Sequence, residues 1–540
     1  MALTKVHQRM IAGASANVLD FGADPTGVSD SKDPIQAALN SQDAVYFPAG
    51  TYRISGGLLY NSNNFIYGDG DASVIRLDNN TNANMFFPNI TLGTEVSPTN
   101  VSVDNVSFKD ICLDQNFTDP AQWSEPIMTL VAVSAKNMVV ENVHFKNPEG
   151  DCIYVSWSYG GQASSVPPYD IDISNCRFSG NNINRNGISV VTGNQIRIIG
   201  NHFYKMTKTD MPGPIDLEPN VITETITNVT IASNTFDQCH GSVTTYIPSS
   251  DPLTYNSIKN VSIIGNVFDE QIADSPYVPE AQAYIAVYNA KNVTVSGNCL
   301  YGARDLGMAF SRSYGIVCSN NTILNTNLGG IRILDIFESK IDNNYIEIKN
   351  DQYNSTDCYG IDIDTAGLVL ANNHAMVGGS LSGNTIVSTA STPTNNSGIL
   401  MQGNVTDLTI DGIVRGFALG LYWGKRTDAI GTDLKIDLDV TQNTTAITKA
   451  NWGASGVYPS TLGKFNLGRD VTYGQSSFSA SATKDITGLP VLTTSILTVS
   501  RTGSTGAANN LTIECPTDGT VRVTSTASES GSFVWNIVDL

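Results

Sequence analysis

Short runs of alternating apolar and polar residues, separated by turns rich in Asn and Gly, recur through the middle of the 540-residue chain. One six-residue phrase, with apolar residues on both sides of Asn, Gly or Ser, returns at intervals of 23 to 37 residues. Its copies begin at Val103, Val140, Ile173, Ile198, Ile231, Ile263, Val295, Cys318, Ile341 and Leu370. The β-branched residues favour strands over helical repeats. A strand phrase with such a period indicates a solenoid whose neighbouring repeats bury one shared apolar core.

A second strand follows each phrase and often opens with Gly-Ile. Because side chains alternate between the two faces of a strand, the residue after the glycine points inward and the next one outward. The predicted interior stack is Ile153, Ile188, Ile215, Val243, Ile285, Ile331 and Ile361. The sequence therefore predicts an all-β protein whose main part is a parallel β-helix. The recurrent Asn175, Asn201, Asn234, Asn266 and Asn298 are expected to form a ladder that satisfies backbone groups at the turns.

Both ends of the chain depart from the repeat. A short helix is predicted over residues 34–39 and a strand over residues 44–53. After about residue 450 the repeats fade. Alternating stretches at 495–500, 511–514, 521–524 and 533–537 then predict a small C-terminal β-sandwich. The predicted layout is an N-terminal linker or attachment segment (1–16), a cap (17–80), the β-helix (81–450) and a C-terminal β-rich domain (451–540).

The charge balance restricts the functional classes. The chain has 30 Lys and Arg against 50 Asp and Glu, a formal net charge of −20. This acidic excess argues against nucleic-acid binding, which needs clustered basic residues. No apolar run approaches the roughly 18 residues of a membrane-spanning helix, and the first residues show no secretory signal. The eight cysteines match no metal-site spacing and are expected to be small buried residues of a protein made in a reducing compartment.

Two carboxylates on one predicted strand carry the candidate chemistry. In Gly213-Pro-Ile-Asp-Leu-Glu218 the alternation places Asp216 and Glu218 on the same outward face, about 6.5–7 Å apart at the backbone. Glycoside hydrolysis needs two such groups, one acting as acid and the other as base or nucleophile. We therefore predict that Asp216 and Glu218 are catalytic, with the order of their roles open.

Further residues are predicted around this pair. His240, on the loop before the next strand, is a candidate base or a group that orients one. Tyr154, Trp157, Tyr246 and Tyr288 are candidate sugar-binding residues, because aromatic rings stack on the apolar faces of sugars. No metal ligands and no cofactor are assigned. A second acidic pair, Asp362 and Asp364, has the same spacing.

The N-terminal motifs resemble a known superfamily. The run Asn17-Val-Leu-Asp-Phe-Gly-Ala-Asp-Pro-Thr-Gly27, the strand at 44–53 and the turn Ile66-Tyr-Gly-Asp-Gly70 resemble the start of pectate-lyase-like proteins, as found in bacteriophage tailspikes and capsule depolymerases. Residues 4–11 are similar to the linker of phage tail proteins. The resemblance implies a right-handed β-helix, a homotrimer and a virion tail location, with attachment to the tail or to an adaptor. Such a protein is made in the host cytoplasm and acts outside it.

The function expected from this resemblance is endo-hydrolysis of a bacterial surface polysaccharide, either capsule or O-antigen. Two alternatives stay open at this point. One is a polysaccharide lyase that works by β-elimination with His240 or Tyr246 as base. The other is a non-catalytic adhesin that only binds the polysaccharide.

Overall fold

The structure is a computed structural model that covers most of the chain. It describes residues 15–79, 81–119, 121, 124–181, 184–208, 211–221, 223–241, 243–247, 257–270, 283–349, 358–364, 374–389, 396–423, 431–440, 442–449, 462–466, 472–487, 496–501, 511–517 and 520–538. The chain divides into two compact units, residues 1–354 and 355–540. Both consist mainly of strands, so the all-β prediction is confirmed. Within the described ranges no helix has the length and apolarity needed to cross a membrane.

Parallel strands of the first unit stack in three rows, and each coil of the solenoid contributes one strand to each row. The first row contains Leu58–Tyr60, Phe86–Pro88, Leu130–Val133, Ile153–Ser156, Ile188–Val190, Ile215–Leu217, Val243–Thr245 and Ala283–Tyr288. The second contains Ala16–Asn17, Ala44–Phe47, Val103–Asp104, Tyr169–Ser174, Gly193–Ile199, Ile226–Ala232, Ile258–Ile264 and Ala290–Ser296. The third contains Gly50–Ile54, Arg177–Ser179, His202–Tyr204, Thr235–Asp237, Val267–Asp269, Cys299–Tyr301, Thr322–Thr326 and Tyr345–Ile348.

Five longer strands take part in two rows each. Phe65–Leu77, Ser107–Asp114 and Ala135–Lys146 run from the second row into the third. Leu306–Ser319 and Gly329–Asp342 run from the first row into the second.

The predicted interior stack is confirmed over the first unit, with one coil added. Ile153, Ile188, Ile215, Val243 and Ile285 are paired in register and fully buried. The next member of the stack is Met308, which precedes Ile331 and was not predicted. Here Gly307 is followed by Met rather than by Ile, so this strand lacks the Gly-Ile opening that marked several of the others.

A second ladder of buried asparagines runs along the same coils. Asn201, Asn234, Asn266, Asn298, Asn321 and Asn344 each bond to the next through both the backbone and the side-chain amide, at 2.9–3.1 Å. The predicted member Asn175 is wrong: Cys176 occupies that rung and donates its backbone N–H to Asn201 Oδ1. Asn175 instead has a φ of 54°, as Gly200 and Gly265 have positive φ at the equivalent turn. Asparagine tolerates this left-handed conformation, which glycine adopts without strain.

The N-terminal elements agree with the sequence. The predicted helix is Lys32–Ser41, which packs Ile35, Ala38 and Leu39 into the core. The predicted strand over 44–53 is two strands, Ala44–Phe47 and Gly50–Ile54. Residues 1–14, which include most of the predicted linker, lie outside the described residues. All six cysteines described before residue 350 are free, and five of them are buried.

The second unit contains parallel strands followed by an antiparallel sheet. The parallel strands are Tyr359–Asp364, His374–Ser388, Ser397–Met401, Asn404–Arg415, Leu419–Trp423, Gly431–Asp439, Thr445–Lys449 and Leu462–Asn466. The antiparallel strands are Thr472–Thr487, Ile496–Arg501, Leu511–Thr517 and Thr520–Val538. The last of these covers two predicted strands. Within the described ranges this is one four-stranded sheet rather than the two sheets of a sandwich.

Candidate functional site

A cavity of about 450 Å³ lies over the first row of strands, where three coils meet two loops. Its floor includes Tyr154, Ser189 and Asp216, which are register partners on successive coils. Register partners on adjacent parallel strands lie about 4.8 Å apart. The walls come from the segment before Leu130–Val133 and from the turn at Tyr159 and Gly160, between two short antiparallel strands. The cavity is therefore built from sequence-distant residues that the solenoid brings into one column.

Asp216 and Glu218 both line this cavity, as the alternation predicted. Asp216 is only 2% exposed, whereas Glu218 is partly exposed. Asp216 is thus not turned to open solvent, because the walls cover the outward face of its strand. Burial, followed by the negative charge of Glu218, raises the pKa of Asp216 well above its usual range. The pair is electrostatically unequal: Asp216 holds its proton more strongly than an ordinary aspartate.

Asn186 connects Asp216 to a second buried acid. Its side-chain amide donates to Ser189 Oγ at 2.8 Å and to Asp216 Oδ2 at 3.3 Å. Its backbone N–H donates to Asp151 Oδ1 at 3.0 Å. Asp151 is 1% exposed, and its burial raises its pKa despite the opposing charge of Arg185. Asn186 therefore fixes two carboxyl groups at the base of the cavity.

Arg185 is the one cationic side chain among the described lining residues. Its guanidinium bonds to Glu125 Oε1 at 2.8 Å. Burial opposes its charge, but the carboxyl groups of Asp151, Glu125, Asp216 and Glu218 outweigh this effect and raise the pKa of Arg185. Four carboxyl groups thus surround one fixed positive charge. The cavity therefore has more acidic than basic side chains in its lining.

Two tyrosines form the aromatic part of the wall. Tyr154 and Tyr159 pack edge to face, with ring centroids 5.8 Å apart. The Tyr159 hydroxyl lies within hydrogen-bonding distance of Asn84 Oδ1 and of the Pro126 carbonyl oxygen. Burial raises the pKa of Tyr154 to about 12. Both rings are therefore held in place as neutral, flat surfaces beside the acidic pair.

The other predicted site residues lie elsewhere. Trp157 is not a described lining residue, and its indole N–H donates to Glu224 Oε1 at 2.6 Å. His240 is 1% exposed and its backbone N–H donates to the Met206 carbonyl. Tyr246, 40% exposed, and Tyr288, 7% exposed, also lie outside the cavity lining. Of the seven predicted site residues, three therefore line the cavity: Asp216, Glu218 and Tyr154.

The second acidic pair differs from the first. Asp362 and Asp364 are 1% and 3% exposed, and Gln402 donates its side-chain amide to Asp362 at 2.9 Å. Both belong to the second unit.

Sequence reasoning missed Glu125, Arg185 and Asn186. All three lie on connections between strands, where residue alternation carries no information about direction. Asp151 lies three residues before Tyr154, just ahead of the strand Ile153–Ser156. Strand register could therefore have predicted its position in the column. Arg185 and Asn186 precede Gly187 in the same way, one coil further on. A search for polar residues immediately before each first-row strand would have found Asp151, Arg185 and Asn186.

Comparison with known proteins adds a family for the N-terminal part. Residues 15–209 match the model of the rhamnogalacturonase A/epimerase, pectate lyase-like family. This segment, about a third of the chain, is similar to that family. It contains the floor strands of Tyr154 and Ser189, while Asp216 and Glu218 follow a few residues after its matched end. The superfamily resemblance predicted from the N-terminal motifs is confirmed. No curated protein matches the chain.

Solved structures extend the comparison beyond residues 15–209. A mutant of the tailspike protein of E. coli bacteriophage HK620, in complex with a pentasaccharide, is 12% identical, with a TM-score of 0.59. The match covers 97% of this chain and 93% of that protein. A double mutant of the same tailspike gives 12% identity, coverage of 98% and 96%, and a TM-score of 0.54. At this identity the likeness shows only that the chain shares the fold of that tailspike.

An epimerase also matches. The A-module of the Azotobacter vinelandii mannuronan C-5 epimerase AlgE6 is 16% identical, with a TM-score of 0.43. That match covers 71% of this chain and 97% of the module.

Proposed function

We propose that this chain is a bacteriophage tailspike that hydrolyses internal glycosidic bonds of a bacterial surface polysaccharide. The observation that carries the proposal is Asp216, a buried carboxyl group with a raised pKa, beside the more exposed Glu218 in an aromatic-walled cavity. A role in binding or processing polysaccharide is supported by the pectate-lyase-like family match and by the tailspike fold.

The unequal pair supplies an acid and a base. Asp216, which keeps its proton, donates it to the glycosidic oxygen as the bond to the leaving sugar breaks. Glu218, which is nearer to solvent, acts on the opposite side as base or nucleophile. The Asp216 carboxylate left after proton transfer accepts the amide of Asn186 and is attracted by Arg185. Tyr154 and Tyr159 provide flat faces on which sugar rings stack.

Charge in the cavity favours hydrolysis over β-elimination. A lyase acts next to the carboxylate of a uronic acid and must neutralise that charge during proton abstraction. Arg185 is already bonded to Glu125, and three more carboxyl groups lie around it. Tyr154, with a pKa of about 12, stays protonated at neutral pH and so does not act as a base there. His240 and Tyr246, the bases considered from sequence, do not line the cavity.

A polysaccharide panel distinguishes hydrolysis, elimination and binding. We expect new reducing ends without the ultraviolet absorbance of an unsaturated uronate, and we expect Glu218→Gln to bind polysaccharide while releasing no fragments. Unsaturated products would show that the protein is a lyase and not a hydrolase. Binding without fragments from the unsubstituted protein would make it an adhesin. Asp269→Asn, which changes an exposed acid on the third row, is the matched control and should cleave normally.

The assembly is part of the same proposal. We infer a homotrimeric, right-handed β-helix at the virion tail, attached directly or through an adaptor. The domain layout is 1–16, 17–80, 81–450 and 451–540, with a role in trimerisation or sugar binding for the last domain. The tailspike fold supports this arrangement. Sedimentation of the full chain tests the trimer, and a monomer at micromolar concentration would contradict it.

A further inference from the structure

A hydrogen-bonded chain of Asp71, His144 and Ser179 lies apart from the cavity. Asp71 Oδ1 is 3.0 Å from His144 Nδ1, and His144 Nε2 is 2.9 Å from Ser179 Oγ. None of the three lines the cavity over the first row. The proposed hydrolysis of glycosidic bonds makes no use of them.

Local structure explains how three distant residues meet. Arg177 and Ser179 occupy one third-row strand, in register with His144 and Lys146 of the preceding coil. His144 therefore reaches Ser179 diagonally across one rung. Asp71 lies in an irregular part of Phe65–Leu77, where the register slips between Gly70 and Val74. The extra residues of this bulge carry Asp71 outward to the histidine.

The bonding pattern fixes where the protons are. An ionised carboxylate only accepts, so the hydrogen bond to Asp71 requires His144 Nδ1 to carry the proton. In a neutral imidazole Nε2 is then an acceptor, and the Ser179 hydroxyl donates to it. Burial, together with the charge of Arg177, holds the pKa of His144 below its ordinary value. Hydrogen bonds from Arg177 and His144 outweigh burial and lower the pKa of Asp71.

The three groups are accessible to a reactant. The Asp71 side chain is 48% exposed and that of His144 is 15% exposed, and Ser179 is half-buried. Lys146 is the register partner of the serine and supplies a positive charge beside it, while Arg177, two residues before it on the same strand face, is bonded to Asp71. Positive charge beside a nucleophile stabilises the oxyanion that forms when an ester carbonyl is attacked.

We propose that Asp71, His144 and Ser179 form a second, esterase site that removes O-acyl groups. Ser179 Oγ attacks the carbonyl carbon while its proton passes to His144 Nε2. The bond to the alcohol oxygen breaks, and the alcohol leaves with that proton. Water then attacks the acyl-serine with His144 as base, which releases the carboxylic acid and restores the Ser179 hydroxyl. The assignment of the acyl groups to a polysaccharide rests on the proposed function, whereas the esterase chemistry does not.

The test uses 4-nitrophenyl acetate and a fluorophosphonate probe on the full chain. We expect hydrolysis of the acetate and phosphonylation of Ser179, located by peptide mass spectrometry. Ser179→Ala should abolish the labelling, and His144→Ala should lower the hydrolysis rate on the order of 100-fold, the usual contribution of a general base. Ser174→Ala, on a half-buried serine of the preceding strand, should leave both unchanged. Circular dichroism checks that each variant is folded.

Two results would overturn the proposal. Equal hydrolysis and labelling in the Ser179→Ala variant would show that the serine is not the nucleophile. Activity removed by a chelator and restored by Zn²⁺ would point to a metal instead, since the Cys112 sulfur lies within 4.8 Å of ligand atoms of Asp71 and His144. Polysaccharide cleavage measured in the same variants separates the two sites, because these substitutions leave the cavity residues in place.

Discussion

Replacing Asp216 by Asn should stabilise the fold and abolish polysaccharide cleavage. In the native protein Asp216 is 2% exposed, its Oδ1 is buried without a hydrogen-bond partner, and the carboxyl group of Glu218 lies nearby. A buried unpaired polar atom costs about 1–3 kcal/mol. The asparagine oxygen still accepts from Asn186, while its amide offers donors to Glu218. We therefore expect a gain of about 1 kcal/mol in unfolding free energy at neutral pH, within that range.

The same change removes the proton donor. General acid catalysis contributes about 10²–10⁴-fold, equivalent to about 3–5 kcal/mol of transition-state stabilisation. The free energy of unfolding is measured by chemical denaturation at two pH values, and cleavage by the appearance of reducing ends.

Because the pKa of Asp216 is raised in the folded protein, the sign of the pH dependence of stability is fixed. A carboxyl group with a raised folded pKa binds more protons in the folded state, so it stabilises the fold less as the pH rises above the unfolded value. The advantage of Asp216→Asn over the native protein should therefore increase from pH 4 upward. A variant that is less stable at neutral pH, or that retains full turnover, would refute the assignment. Asp269→Asn serves as control, with neither effect expected.

Three further predictions concern other parts of the first unit. Asn266→Ala breaks the buried ladder and leaves several buried amide groups unpaired, so it should cost about 2–5 kcal/mol in chemical denaturation. The control is Asn260→Gly in an exposed asparagine row, at a φ of 57° that glycine adopts without strain; it should cost less than about 1 kcal/mol, and equal losses would contradict the ladder's role. Burial raises the pKa of Glu149 to about 7, so native stability should fall between pH 4.5 and 7 by at most about 1.4 kcal/mol per pH unit. Glu149→Gln should remove that part of the slope, and an unchanged slope would show that Glu149 is not its source. Arg185→Gln removes the charge that lowers the pKa of Asp216, so the basic limb of the cleavage profile should move to higher pH; a shift to lower pH would contradict the electrostatic account.

The repeat pattern was sufficient to predict a solenoid of stacked parallel strands, because each buried position needs an apolar side chain whatever the loops contain. It gave two strands for each coil where the structure has three, since the phrase covers the end of a second-row strand and the third-row strand that follows it. The stack from Ile153 to Ile285 followed from alternation alone. Met308 was missed because Gly307 is followed by Met, so its strand lacks the Gly-Ile opening that marked several of the other strands. Asn175 was placed one residue out of register because its phrase has Asn at the turn position and Cys at the ladder position.

The candidate site was predictable only in part. Strand alternation located Tyr154, Asp216 and Glu218, since these side chains follow the period of two. It did not reveal that loops cover Asp216, nor that Arg185 and Glu125 come together, because loop paths are not encoded in periodicity. Tyr288 and His240 were misplaced for the same reason: an outward position on a strand or loop is exposed only where nothing packs over it.

Hydrolysis at this cavity is tested most directly by cleaving a susceptible polysaccharide in water enriched in heavy oxygen and weighing the fragments. We predict that each new reducing end carries one heavy oxygen atom, and that Asp216→Asn and Glu218→Gln release no fragments. Fragments without the label, each lacking one water at the new non-reducing end, would instead establish elimination and contradict the roles given to both carboxyl groups.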